Sequence, residues 1–358
     1  MDAIYIHIPF CLKKCSYCDF LSFSGSQKDE REKYVDYLIE EIKLYPEKIY
    51  DTIYFGGGTP SILEPEQIKR ILNVLKKGDK AEVTMETNPK TVDYEKLLKF
   101  KEAGINRLSI GIQSFHEKHL KNLGRLHKAK EAEEIYLEAR RAGFQNISLD
   151  LMFSLPEETP EELEEDLNKI FQLKPEHFSI YSLIWEEGTE FFRKLEEGEY
   201  KETENELEAE MYRYIIQESS KNGYIHYEIS NFALPGKESR HNSKYWRNSE
   251  YLGIGLGASG YLQGTRYKNI ENFREYYDMI DDMKRPVSET EMVDENERET
   301  YRNILGLRLL QEGVTPSEKY TELFRDLEKR GYLKKAGESY VLTEKGIFFA
   351  NDVFSEMI

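Results

Sequence analysis

The chain is short of cysteine, of cationic charge and of long apolar runs, and each shortage excludes something. Three cysteines in 358 residues, an odd number, rule out a complete disulfide framework. No apolar run approaches the roughly 20 residues of a membrane span. The first strand begins three residues in, which leaves no room for a signal or transit peptide, so a cytoplasmic location is expected. Lys and Arg number 50 against 67 Asp and Glu, a net charge of −17. That balance argues against non-specific binding to nucleic acid or to anionic lipid. The acidic stretches at 156–166 and 196–210 read as solvated helix faces, with a docking surface for a basic partner as the other reading.

What cysteine there is lies in one place. Cys11, Cys15 and Cys18 fall in the run CLKKCSYC. The spacing C-x3-C-x2-C puts three soft thiolates on one short loop, as in loops that hold iron–sulfur clusters. Three ligands are one short of the four irons in a cubane, so one iron is left open to an exchangeable ligand. A zinc site would need a fourth protein ligand, and the nearest candidate is His7, in the alternating run AIYIHIPF. Buried, inert thiols are the remaining alternative.

From residue 4 to about 184 a unit repeats: a β-rich run, a polar loop, an amphipathic helix. Strands are expected at 4–8, 52–55, 82–87, 107–112, 147–152 and 178–184. Val35, Leu38, Ile39 and Ile42 have helical spacing, as do Ile68, Ile71, Leu72 and Leu75. Gly78, Gly104 and Gly143 are expected to end helices. Six βα units predict an α/β fold, a partial (βα)6 TIM-like barrel left open on one side, with its chemistry at the carboxyl ends of the strands. Those ends carry the cysteine loop, Gly56-Gly57-Gly58-Thr59-Pro60, Glu86-Thr87-Asn88-Pro89 and Gly111-Ile112-Gln113-Ser114-Phe115, while Asp150 interrupts an apolar fifth strand. GGGTP alone is weak evidence, and a buried polar network is the other reading of Glu86, Gln113 and Asp150. Beyond 185 a charged helix is expected at 204–222, a strand at 227–233 and a glycine-rich apolar run at 251–262. Helices at 299–312 and 317–330, then a hairpin, have the outline of a winged helix, with Thr343 set to cap a last helix. The divisions expected are a core at 1–185, an extension at 186–285 and a C-terminal module at 286–358.

IYIHIPFCLKKCSYCDF, FGGGTPS, METNP, RLSIGIQSF, LGRLH, LDLMFSLP and HNSKYW, in that order, resemble the HemN/HemW branch of the radical S-adenosylmethionine (SAM) superfamily. The resemblance covers essentially the whole chain. It implies that Cys11, Cys15 and Cys18 hold a [4Fe–4S] cluster whose free iron takes the amino and carboxylate groups of SAM. Gly57, Gly58 and Thr59 would meet the methionine part of SAM. Glu86, Gln113, Arg125 and Asp150 match polar SAM-holding positions, Tyr5 an aromatic near the cofactor, and Tyr17 the aromatic before the last cysteine. His241 and Tyr245, with Trp246, match a motif tied to heme.

HemN is an oxygen-independent coproporphyrinogen III oxidase, and HemW is described as a heme chaperone. Phe20 stands where HemN has a further cysteine, and HemN's N-terminal extension is missing, so the oxidase activity is in question and the HemW side is favoured. The resemblance then implies a heme chaperone passing heme to an acceptor hemoprotein, with a membrane-associated respiratory protein as the expected class. Nucleic acid is not an expected partner, and a homodimer is one arrangement it allows. The alternatives are the oxidase, which decarboxylates propionate side chains, and a radical SAM enzyme with another substrate.

Overall fold

The computed structural model describes residues 2–358. Its framework is a set of parallel strands joined by helices. These are β1 (Asp2–Ile8), the two-residue strands β2 (Phe10–Cys11) and β3 (Phe23–Ser24), α1 (Lys28–Lys43), β4 (Ile49–Gly57), α2 (Pro65–Asn73), β5 (Lys76–Thr87) and α3 (Tyr94–Ala103). They continue with β6 (Arg107–Gln113), α4 (Glu117–Asn122), α5 (Ala129–Arg141), β7 (Ile147–Phe153), α6 (Pro160–Leu173) and β8 (His177–Ser182). The order β1-β4-β5-β6-β7-β8 is parallel throughout.

Alternation sets the two faces of this sheet. Ile4, Ile6, Ile8, Ile53, Phe55, Met85, Leu108, Ile110 and Leu149 are buried in one apolar core with Val35, Leu38, Ile68 and Ile71 of the helices. The intervening positions, including Tyr5, Tyr54, Glu86, Ser109, Asp150 and Ser179, face the concave side and bond to one another.

Two expected boundaries move. Gly78 does not end a helix: α2 stops at Asn73, and Ile49 and Tyr50 pair with Lys76 and Lys77, so the β4–β5 ladder claims that backbone. Gly104 and Gly143 do follow helices, at φ +115° and +88°. The run 227–233 is two strands. After α7 (Glu190–Glu196) and α8 (Asn205–Lys221), β9 (Ile225–Glu228) and β10 (Asn231–Ala233) form a hairpin, and β10 runs antiparallel to β8.

β1 and β8 do not pair, so the barrel is open. The sheet continues past β1 instead. After α9 (Arg240–Trp246), β11 (Tyr251–Ile254) is a seventh parallel strand, and β12 (Ser259–Leu262), β13 (Thr265–Asn269) and, beyond α10 (Phe273–Asp281), β14 (Val287–Met292) add to it antiparallel. Of β1–β14, all but β2 and β3 form one twelve-stranded sheet among the described residues.

The C-terminal part has its own apolar cluster, with Leu307, Phe324, Leu333, Leu342 and Phe354 at its centre. It consists of α11 (Glu295–Leu307), α12 (Thr321–Lys329), the hairpin β15 (Leu333–Ala336) with β16 (Ser339–Leu342), α13 (Glu344–Phe348) and α14 (Ala350–Ser355). The Gly346 N–H donates to Thr343 Oγ1, which caps α13. Among the described residues, no helix is long and apolar enough to cross a membrane.

Candidate functional site

The cysteine loop leaves the carboxyl end of β1 and is closed by the short parallel ladder β2–β3, where Phe10 pairs with Phe23 and Cys11 with Ser24. It is stitched to the glycine turn after β4. The Gly58 N–H donates to Ile8 O at 2.9 Å and the Thr59 N–H to Phe10 O at 2.8 Å. A side chain at Gly58 would put its Cβ 2.8 Å from Phe10 O and 3.1 Å from Cys11 Sγ. Glycine is what lets the two loops touch.

All three cysteines are half-buried, and the thiols lie close enough to influence one another. Burial raises the Cys11 thiol and pushes Cys18 up to about 11, with Cys15 and Cys11 adding to the rise at Cys18. Metal ligation would displace such protons. Among the described residues, no three His, Cys, Asp or Glu side chains surround one ion. A cubane carries its irons at separate corners, so its ligands need not meet at a point. The zinc alternative also loses its fourth ligand. His7 Nε2–H donates to Leu21 O at 3.0 Å, and His7 Nδ1 lies 3.0 Å from the Tyr5 hydroxyl.

The other strand ends meet this loop. The Gly57 N–H donates to Glu86 Oε2 at 3.2 Å, and the Tyr54 hydroxyl donates to Glu86 Oε1 at 2.9 Å. Burial, with the charge of Asp150 behind it, raises the Glu86 carboxyl to about 7. Asp150 accepts hydroxyl donors from Ser109 at 2.9 Å and Ser179 at 2.6 Å, and burial still raises its carboxyl. Gln113 sits at φ +72°, a strained backbone for a residue with a side chain, and its Oε1 accepts from the Tyr181 hydroxyl at 3.2 Å. Arg125 donates from Nη1 to Cys15 Sγ at 3.6 Å and from Nη2 to Gly111 O, and its buried Nε has no partner. A Cβ at Gly111 would stand 3.0 Å from Gln113 Nε2 and 3.2 Å from Arg125 Nη2.

Cys11, Cys15, Tyr5, Gly57, Gly58, Thr59, Glu86, Gln113 and Arg125 are thus joined by direct contacts or by one shared neighbour, and Asp150 reaches them through its charge. Tyr17 packs on an apolar patch with Leu123 and Phe191 that adjoins the site, near enough to Tyr181, Arg125, Cys15 and Cys18 for their charges to act on its hydroxyl. The donor set fits the cluster and cofactor that the superfamily implies: three thiols without a fourth ligand, an orphaned guanidinium nitrogen, and glycines where side chains would fill the cleft. Tyr54 and Tyr181 were not singled out from the sequence. Their signal was their alternate position in the strands, two residues from Gly56 and from Ser179.

His241 and Tyr245 lie in the layer behind the site: the Tyr54 ring, whose hydroxyl donates to Glu86, stands between His241 and that carboxyl. α9 sits under the amino ends of the strands. The His241 N–H donates to Glu82 Oε1 at 3.2 Å, and its Nδ1 is 3.0 Å from Thr52 Oγ1. Thr52 precedes Gly57 by five residues of strand, about 17 Å. His241 is fully buried, its Nε2 lies 2.7 Å from the Tyr245 hydroxyl, and its ring stacks on Tyr54 at 5.0 Å. Burial, with Lys244 and Arg107 nearby, lowers it to about 3. Both ring nitrogens are engaged inside the protein.

Residues 5–170 match the Radical SAM superfamily. A protein of Bacillus subtilis (strain 168) named heme chaperone HemW is 38% identical, with 100% of this chain and 99% of that one covered. Its namesake in Lactococcus lactis subsp. lactis (strain IL1403) is 36% identical over 100% and 97%. Coproporphyrinogen III oxidase (HemN) from Escherichia coli, a radical SAM enzyme, superimposes with a TM-score of 0.85 over 99% of this chain and 90% of that one, at 21% identity, and so shares the fold. With relatives this similar along their full length, the chain belongs to the HemW family of the radical SAM superfamily.

Proposed function

We propose that this chain is a heme carrier built on a radical SAM scaffold. The observation that carries the reading is the extent of the likeness: proteins named heme chaperone HemW align with this chain from end to end. Cys11, Cys15 and Cys18 would hold the [4Fe–4S] cluster. Gly57, Gly58 and Thr59 would take the methionine end of SAM. Glu86 suits the amino group and the free Nε of Arg125 suits a carboxylate, with Gln113 and Asp150 setting the polar wall and Tyr5 and Tyr17 flanking it. When bound, the cluster supplies a low-potential electron and one open iron. The chain's own residues position the ligand and keep water from the cleft.

The recipient would be an acceptor hemoprotein, with a membrane-associated respiratory protein as the proposed class. For His241 to ligate iron, its Nε2 would have to leave the Tyr245 hydroxyl and its buried ring would have to be uncovered. Phe20, 64% exposed, stands in the cysteine loop where the oxidase has a thiol.

The test is one anaerobic reconstitution. Given heme, the protein should bind about one equivalent. Given coproporphyrinogen III, SAM and a reductant, it should yield no protoporphyrinogen. Product formation would overturn the carrier reading in favour of the oxidase.

A further inference from the structure

A cavity of about 1050 Å³ opens between the barrel wall and the C-terminal module. Its walls come from the ends of β7 and β8, from α8, from the β9–β10 turn, from Arg308 and from α13 with the start of α14. That volume lies at the upper end for ligand pockets, about 300–1,000 Å³, and so suits a large ligand.

Phe153, Tyr181, Tyr212, Phe348 and Phe349 give the cavity an aromatic side among otherwise mostly polar lining residues. The Phe153 and Tyr212 rings stack at 5.9 Å with 12° between their planes, and Phe348 meets Tyr212 edge-on at 5.6 Å. Phe349, also on the wall, is 47% exposed.

The charged groups are uneven. Glu206, Glu208 and Asp352 stand on the wall, and Arg213 is paired with Glu344 at 2.9 Å. Arg308 is different. Its guanidinium lies over Trp246 at 4.2 Å and 3.7 Å from the buried Glu228, and its buried Nε has no hydrogen-bond partner. Lys345, the third cation on the wall, donates its Nζ to Arg330 O at 2.9 Å, so Arg308, still 25% exposed and with one donor unused, is the cation best placed to meet an entering carboxylate. Among the described residues, no histidine, cysteine or methionine lines the cavity, and the Tyr212 hydroxyl already donates to Ile229 O. A bound metal would find none of its usual soft or imidazole ligands here. Tyr181 forms part of the wall and bonds to Gln113, so the cavity abuts the candidate SAM site.

We infer that this cavity is the cargo site. It takes a flat tetrapyrrole bearing carboxylate side chains, held by aromatic walls and Arg308 rather than through its metal. The inference rests on the carrier reading above and adds where the cargo sits and what part of it is recognised.

The experiment titrates the full-length protein with hemin and, separately, with metal-free protoporphyrin IX, followed by absorbance. Wild type should bind both with dissociation constants within about threefold of each other, because recognition spares the metal. Ala209→Trp, which fills the cavity from α8, should weaken both about tenfold or more. Arg308→Gln should weaken both about fivefold or more through loss of the carboxylate contact. If Arg308→Gln fails to fold because Glu228 loses its cation, Ala209→Trp decides alone. Ala209→Trp binding like wild type, or hemin bound and metal-free porphyrin refused, would overturn the cavity assignment and leave the carrier reading standing. Failure of wild type to bind hemin would overturn both.

Discussion

Gly57 shows how tightly single residues are constrained at the site. Its φ is +111°, and a Cβ there would lie 2.5 Å from His7 Cε1. His7 cannot swing aside, because Leu21 O and the Tyr5 hydroxyl hold both its nitrogens. Gly57→Ala should therefore lose about 2 kcal/mol or more, combining the left-handed backbone cost with the clash. Gly25 is the control: its φ is +81° with open space around it, so Gly25→Ala meets only the backbone cost of about 1 kcal/mol. Urea unfolding of both variants checks this, and equal losses would remove the clash from the argument. At this scale the sequence was informative where chemistry was out of place: thiols clustered in one loop, carboxylates in apolar strands. It was silent on Tyr54 and Tyr181, since a tyrosine in a strand has the ordinary look of core. It also offered His7 as a ligand, because a histidine's partners depend on Leu21, fourteen residues away.

At the scale of elements, the six parallel strands β1 and β4–β8 and the long helices between them are legible because their periodicity is local. β11 is not. Its run YLGIGLGASGYL shows only as glycine-rich and apolar, and the glycines answer to packing: a Cβ at Gly253 would fall 1.9 Å from Ser259 O, and one at Gly260 would fall 2.2 Å from the Tyr267 ring. The partner that makes β11 a strand is β1, some 250 residues earlier in the chain, and no local pattern carries that. α9 was noticed for its residues, not for its place. Seven residues make a helix too short to hold by itself, so its ends matter. Ser239, fully buried, caps it by accepting from the Asn242 N–H at 3.3 Å, and Lys244 anchors it to Asp51 at 2.6 Å. Ser239→Ala should cost about 1 kcal/mol of stability. Thermal or urea unfolding measures it, and an unchanged midpoint would mean that the contacts to Glu82 and Asp51 suffice without the cap.

For the whole molecule, buried ionisable groups of two kinds set how stability depends on pH. Glu41 and Glu86 are raised to about 7 and Glu158 to about 8, all chiefly by burial. Unfolded, such groups titrate near 4.5. The native state then holds more protons than the unfolded one as pH rises from about 4.5 to 8, so stability falls across that range. The histidines act oppositely. His127 and His226 are lowered to about 4 and His241 to about 3, again chiefly by burial. The unfolded state takes up their protons first, so stability falls as pH drops below the unfolded value of 6.5. Between about 4.5 and 6.5 the two effects offset each other. Above 6.5 only the carboxylates act, and below 4.5 the histidines dominate. Stability should thus be highest between about pH 5 and 6.5 and decline toward pH 8. Glu41 isolates one contribution, because it lies away from the cysteine loop. Its carboxylate, fully buried, accepts from the Gly255 N–H at 2.8 Å, the Asn269 amide at 2.7 Å and the Tyr276 hydroxyl at 2.6 Å, tying α1 to the turn after β11 and to α10. Glu41→Gln replaces one oxygen with an NH2 that cannot accept, whereas the hydroxyl oxygen of the protonated carboxyl still can, so it should lower stability at pH 5.5, yet it should flatten the decline from pH 6.5 to 8. Urea midpoints at pH 5.5, 6.5 and 8 for both proteins decide it. A variant with the same alkaline slope would show that Glu41 is ionised in the folded protein well below pH 7, and a wild type that gains stability toward pH 8 would show that other groups outweigh these three carboxylates.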